Sequence, residues 1–239
     1  MVAVLPNDIT KPTTGFDPAT VLSEVRGIRS AEPEGSWITR EARSEKEAES
    51  LVSWADGKGA LWTETKVPES DELTGGEHIV ELDERSDRVF KSTLPGKFGF
   101  AIDLEMISPK GRNSRPRITA GLCQATPDEY LQRLAWQNEL FNDRERVVGV
   151  VKYPQGISVL SLQPFYKGEK TAQSAIDEWF KSKGWMVLPK EGAYDNRKRD
   201  LMIMDAIPRN VLTLENGDIM PFDVVIVKPS QAVKNKFGL

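Results

Sequence analysis

A chain of 239 residues, 39% hydrophobic and 28% charged, is long enough to bury a sizeable core, as one two-lobed domain or two small ones. Its single cysteine, Cys123, excludes an internal disulfide and fits a reducing, cytoplasmic compartment; its single histidine, His78, excludes a histidine-based triad or a histidine-rich metal site. The net charge of −4 argues against nonspecific nucleic-acid binding, no apolar run approaches the ~20 residues that span a bilayer, and the N-terminus lacks a basic-then-apolar leader.

Residues 1 to 20 are rich in Pro and Thr, and loose order is expected there. Ser44 and Glu47 read as a Ser-x-x-Glu capping box, with Ala48, Leu51, Val52 and Ala55 on the apolar face of a helix ending near Gly57. Trp54 and Trp62 imply that this extension, residues 1–70, packs on the remainder of the chain. Next comes TGGEHIVELDERSDRVFKST: Gly75 and Gly76, then two β-rich runs around a polar turn, the second holding Lys91. A glycine turn lets backbone N–H groups approach phosphate, and a strand lysine neutralises phosphate charge. The plain alternative is a hairpin with a solvated lysine, in which His78 is a turn or strand residue.

The segment 94–124 reads as an insertion containing a mobile loop, Pro109 to Pro116. The clearest helix spans 126–143: Thr126 caps it, Pro127 fits its first position, Glu129 completes a capping box, and Leu131, Leu134, Ala135, Asn138 and Phe141 form an inward face. Strands at Val147–Val151 and Ile157–Leu162 flank the turn Tyr153–Gly156 and lead into a connector, Gln163 to Glu169. Pro164 has no N–H, so adenine recognition here needs the carbonyl of Gln163 and the backbone of Phe165. A helix follows from Thr171 to Lys183, with Gly184 as its stop. The basic clusters Lys110–Arg117 and Arg197-Lys198-Arg199 read as solvated loops, the second with an anion-binding alternative.

The most informative stretch is MDAIPRNVLTLENGDIMPFDVVI. It spaces Asp205 and Asn210 as Asp-x-x-x-x-Asn, then places a strand, a tight turn at Glu215–Asp218 and a second strand before Asp223. Such a hairpin returns Asp223 beside Asn210. A carboxylate and an amide oxygen suit a hard ion such as Mg²⁺, and a second carboxylate can orient an attacking hydroxyl.

Four segments, GGEHIVELDERSDRVFK, ATPDEYLQRLAWQNELFND, VLSLQPFYKGEKTAQSAIDEWFKSKGW and DAIPRNVLTLENGDIMPFDVVI, cover roughly residues 70 to 228 in order. In them the chain resembles the small serine/threonine/tyrosine kinase domain found in bacterial and phage polyvalent proteins. The resemblance implies an α+β, minimal two-lobed protein-kinase-like fold: an N-terminal extension over 1–70, an N-lobe over 71–163 and a reduced C-lobe over 164–239. It implies ATP with Mg²⁺ or Mn²⁺, and phosphoryl transfer to a protein Ser, Thr or Tyr hydroxyl. A small-molecule acceptor, or a nucleotide-binding pseudokinase acting as an interaction module, are the alternatives.

By the same resemblance Asp205 is the catalytic acid/base, Asn210 and Asp223 hold metal, and Lys91, Gly75 and Gly76 meet the phosphates. Leu162 backs the adenine, Gln163 and Phe165 meet its edge, and Glu169 reaches the ribose. The lysine's partner is Glu129 or Glu139 of the helix; because Glu129 is occupied at the cap, Glu139 is expected. Two departures stand out. Met204 precedes Asp205 where regulated kinases usually carry arginine, and residues 224–239 leave little room for an activation segment. A constitutively assembled site is therefore expected.

Overall fold

The computed structural model describes residues 14–29, 39–67, 77–83, 86–107 and 117–239, of which 104–107 and 117–120 as backbone alone. Gly75, Gly76 and the expected loop from Pro109 to Pro116 lie outside the described residues. The chain is α+β and falls into two compact units, residues 1–99 with 124–165 and residues 100–123 with 166–239.

The first unit holds α1 (Pro18–Ile28), α2 (Arg40–Gly57), β1 (Leu61–Thr63), β2 (His78–Asp83) and β3 (Arg88–Thr93). The chain crosses to the second unit for β4 (Phe100–Ile107) and β5 (Arg117–Gln124), then returns for α3 (Pro127–Phe141), β6 (Arg146–Tyr153) and β7 (Gly156–Pro164). The second unit continues with β8 (Gly168–Lys170), α4 (Gln173–Ser182), β9 (Met186–Val187), β10 (Tyr194–Asn196) and β11 (Leu201–Met204). It ends with β12 (Val211–Leu214), β13 (Ile219–Pro221), β14 (Val225–Val227) and α5 (Gln231–Phe237). No helix among the described residues is long and apolar enough to cross a membrane.

In the first unit, order begins earlier than composition suggests. Asp17 caps α1 by accepting from the N–H groups of Ala19 and Thr20, Pro18 fills the first helical turn, and Val21, Leu22 and Val25 bury one face. Helix α2 also starts before the expected Ser44 box. Thr39 is its cap, accepting from Ala42 N–H, so Ser44 lies inside the helix. Glu47 does not fold back onto the Ser44 backbone. It is buried, and its Oε2 accepts the N–H of Asp128 in the first turn of α3 at 3.0 Å. The Asp128 carboxylate in turn takes Arg26 at 2.9 Å and Arg29 through two N–H groups at 3.1 and 2.6 Å. A negative charge at a helix N-terminus is favourable, and the bidentate pair fixes α1 on α3. The capping box of α3 is present in full, with Thr126 and Glu129 satisfying each other's backbone N–H.

The five-stranded sheet of this unit runs β1-β6-β7-β3-β2, antiparallel except for the parallel pair β1–β6. Ile79, Phe90, Val151, Leu160 and Leu162 pack as a cluster, joined by Trp62. Phe90 is paired with Leu162, and the next pair, Lys91 with Ser161, faces the other way.

In the second unit a four-stranded sheet, β14-β11-β10-β9, adjoins a three-stranded one, β13-β12-β8. Met202, Met204, Val225 and Val233 form a core onto which Phe100 and Ile102 of β4 pack. The expected insertion thus supplies part of this core. Helix α4 begins at Gln173 rather than Thr171, whose hydroxyl instead meets Thr213 Oγ1 at 2.9 Å. Ile176 and Phe180 are its buried residues, while Ala172 and Ala175 are exposed. The Phe180 ring stacks on Tyr194 with centroids 4.1 Å apart.

Burial holds the Glu47 carboxyl above its ordinary value, against smaller opposing contributions from its hydrogen bonds and Arg29. The folded chain therefore binds this proton more tightly than the unfolded chain, and the associated stability is lost as pH rises from the unfolded value through the folded one. Glu47→Gln keeps the acceptor for Asp128 and does not titrate. Its unfolding free energy relative to wild type, from urea melts, should rise as pH increases above the ordinary carboxylate range. A constant or falling difference would contradict the assignment.

Candidate active site

The loop between β11 and β12 is built around Asp205. β11 is the fully buried run Leu-Met-Ile-Met, which anchors the approach, and Asp205 leaves it with φ 60° in the left-handed region. That conformation costs roughly 1–2 kcal/mol outside glycine and must be held by neighbours. Asn210 provides the hold: its Nδ2 donates to the Asp205 carbonyl and to Asp205 Oδ2, both at 2.8 Å. Backbone bonds close the turn, Ile207 N–H to the Asp205 carbonyl at 3.0 Å and Asn210 N–H to the Ile207 carbonyl at 2.8 Å. Gly192 is required beneath it. At φ +68° its carbonyl accepts from Ala206 N–H, and a Cβ there would sit 2.7 Å from Ile207 Cγ2.

The orientation of Asn210 follows from these acceptors, because rotating the amide would set oxygen against two oxygens. Oδ1 therefore points away from Asp205 and accepts no hydrogen bond from the described residues. Phe222 N–H donates to the Asn210 carbonyl at 3.1 Å, and Val211 pairs with Pro221, so the β12–β13 hairpin brings the residue before Asp223 back to the Asn210 backbone. The hairpin turn has Gly217 at φ +85° and is stiffened by Asn216 bonding both the N–H and the carboxylate of Asp218. Asp205 and Asn210 thus meet directly, and the hairpin that follows Asn210 ends just before Asp223. An amide oxygen and a carboxylate are donor types that suit a hard divalent cation.

Residues that sequence reasoning passed over surround this loop. Arg209 donates through one nitrogen to both carboxylate oxygens of Asp205, at 3.1 Å each. Its signal was present in the four-residue spacing within DAIPRN. Gln173, in the first turn of α4, directs Nε2 at the Ala206 carbonyl (3.3 Å), Tyr194 OH (3.0 Å) and Asp177 Oδ1 (3.0 Å). Tyr194 OH donates to Asp177 Oδ1 at 2.6 Å, and burial followed by that acid pushes the phenol well up. α4 is thereby tied to the Asp205 loop. Glu169 lies on the exposed strand β8, paired with Thr213.

The other predicted residues belong to the first unit. Lys91 is buried on β3, directly across from Ser161, and directly opposed residues of an antiparallel pair share a face. Ser161 Oγ donates to Glu145 Oε1 at 2.6 Å, and Glu145 is held by a two-way backbone clamp from the Asn138 amide, 2.8 Å in each direction. Glu145 therefore lies on the lysine's face of the sheet. Glu139, the expected partner, is exposed, because α3 turns it half a revolution from the buried Tyr130. Glu129 is engaged by its cap and by Arg40. On the same sheet His78 Nε2 meets Tyr130 OH at 3.1 Å.

The strand pattern places the three residues expected at the adenine. Leu162 faces the apolar cluster, opposite to Lys91. Gln163 is a buried strand residue whose Nε2 donates to Asp143 Oδ2 at 2.6 Å. The N–H of Phe165 is committed to the Asp87 carbonyl at 2.9 Å, which continues the β3–β7 ladder, while its side chain is exposed.

No family model, curated protein or solved structure matches the chain.

Tyr194→Phe removes the donor to Asp177 and loosens the tie between α4 and the loop. It should lower the unfolding free energy by about 1 kcal/mol, read from urea melts followed by tryptophan fluorescence. An unchanged midpoint would show that the Gln173 contacts suffice alone.

Proposed function

We propose that this chain is an ATP- and Mg²⁺-dependent phosphotransferase of minimal protein-kinase-like architecture, acting on a Ser, Thr or Tyr hydroxyl of a protein. The observation that carries the reading is the Asn210 amide, which fixes Asp205 through both donors and leaves Oδ1 without a hydrogen bond from the described residues, at the head of the hairpin that leads to Asp223. An Asp and an Asn at this spacing, followed by a hairpin and a second Asp, is the arrangement phosphoryl transfer needs: an acceptor for the hydroxyl proton and two oxygen donors for metal. A divalent ion held by Asn210 and Asp223 supplies positive charge to the nucleotide's phosphates. Asp205 accepts the hydroxyl proton as the acceptor oxygen attacks, and Arg209 keeps that carboxylate aligned. In the first unit Lys91, the lysine of the resemblance, stands across from Ser161, whose hydroxyl donates to Glu145. The element order also supports the reading: a lysine strand, a helix, a hairpin, then the Asp205 loop.

The site needs no phosphorylated loop to assemble. Met204, beside Asp205, is a buried core residue and offers no charge to a phosphate. The loop is held by Gly192, Gln173 and Asn210 instead.

The test is incubation with γ-labelled ATP and Mg²⁺, with and without protein acceptors. Wild type should transfer label equally before and after phosphatase treatment. Asp205→Asn should lose ~10²–10⁴ in rate while retaining nucleotide binding, and Asp223→Asn should lose metal-dependent binding. Tight Mg·ATP binding by Asp223→Asn, or full transfer by Asp205→Asn, overturns the reading.

A further inference from the structure

The second unit carries a pocket that the phosphotransferase reading does not use. It has a volume of about 520 Å³ and lies where the end of α4 and β9 meet the turn after β10. That size is in the range of small-molecule sites. Its lining includes Lys183, Met186, Asp195, Asn196, Arg197 and Lys198.

Asp195 sets it apart from an ordinary basic loop. The residue is 4% exposed, and its Oδ2 is fully buried without a hydrogen bond. Register explains the burial: Asp195 lies between Met186 and Met202 on neighbouring strands, and Met202 belongs to the apolar core. Burial accordingly pushes the carboxyl up, while Arg197 and Lys234 pull it down more weakly. The Arg197 Nε is 3.9 Å from Oδ2, beyond hydrogen-bond length, and its side chain is 70% exposed. A buried carboxylate without donors is costly, and native structures rarely keep one without a role. Asn196 commits only its Oδ1, to Arg199 N–H at 3.2 Å, which leaves the amide donors to the pocket. Lys183 is held near the Trp179 ring, 5.8 Å from its centroid, and Lys198 makes no ion pair among the described residues.

We infer that this pocket binds a small phosphate ester bearing hydroxyl groups. Arg197, Lys198 and Lys183 take the phosphate, and Asp195 with Asn196 takes the hydroxyls at the floor. A rim of cations above a buried acceptor asks for a ligand with both an anionic group and a hydrogen-bond donor. The volume of about 520 Å³ and the net charge of −4 favour a small molecule over an extended polyanion.

The inference stands apart from the nucleotide site, and its test is made so. Ribose 5-phosphate, ribose, inorganic phosphate and a short single-stranded RNA are titrated into isotope-labelled protein, both wild type and Asp223→Asn. Amide shifts are followed by NMR. Ribose 5-phosphate should shift Gly184 and residues 195–199 in both proteins and bind more tightly than ribose or phosphate alone. Arg197→Ala with Lys198→Ala, both exposed positions, should weaken it about tenfold. Asp195→Ala should abolish the advantage of the ester over inorganic phosphate. Unchanged affinity in the double variant, no shifts with the ester, or preference for RNA overturns the inference.

Discussion

The candidate site depends on one side-chain amide. Asn210 directs Nδ2 at two oxygens of Asp205, and that holds a non-glycine residue in a left-handed conformation it would otherwise leave. The same commitment fixes which way Oδ1 points. A single interaction therefore sets both the aspartate's geometry and the direction of the amide oxygen. Aspartate at position 210 would put a carboxylate against a carbonyl and a carboxylate, and alanine would release the turn. Asparagine is the residue type that supplies a donor on one side and an acceptor on the other.

How legible this was depends on whether the information is local. The Asp205–Asn210 spacing and the hairpin that returns Asp223 are local, and the sequence carries both. So is the capping box at Thr126, because its partners are three residues apart. The Ser44–Glu47 pair has the same pattern and fails, since a distant N–H, that of Asp128, claims the Glu47 carboxylate. Local pattern cannot report that competition. Helix α1 was hidden by the proline-rich run before it, although Asp17-Pro18 is itself a start signal.

The lysine's surroundings show the same limit in the other direction. Reasoning from a helix glutamate leads to Glu139, which the 100° step per residue turns outward. Glu145 comes after the helix and reaches Ser161 only because Asn138 clamps its backbone and β6 pairs with β7. Its position is a product of strand register. Leu162 is the complementary case. A one-residue step along β7 decides whether a side chain meets Lys91 or the apolar cluster, and alternation gives Leu162 to the cluster.

Alternation also links the two sites proposed for the second unit. Tyr194 and Asp195 are consecutive on β10, so they leave opposite faces of the sheet. Tyr194 goes toward α4, stacks on Phe180 and joins Gln173 and Asp177 under the Asp205 loop. Asp195 goes to the side of Met202 and Met186, beneath Arg197. One short strand thus carries both a support of the proposed catalytic loop and the floor of the pocket. Because β10 is only three residues long and lies between β9 and β11, it has few ladder bonds with which to absorb a shift at one residue before its neighbour moves. A ligand that draws Asp195 toward the pocket therefore acts on the strand that positions Tyr194.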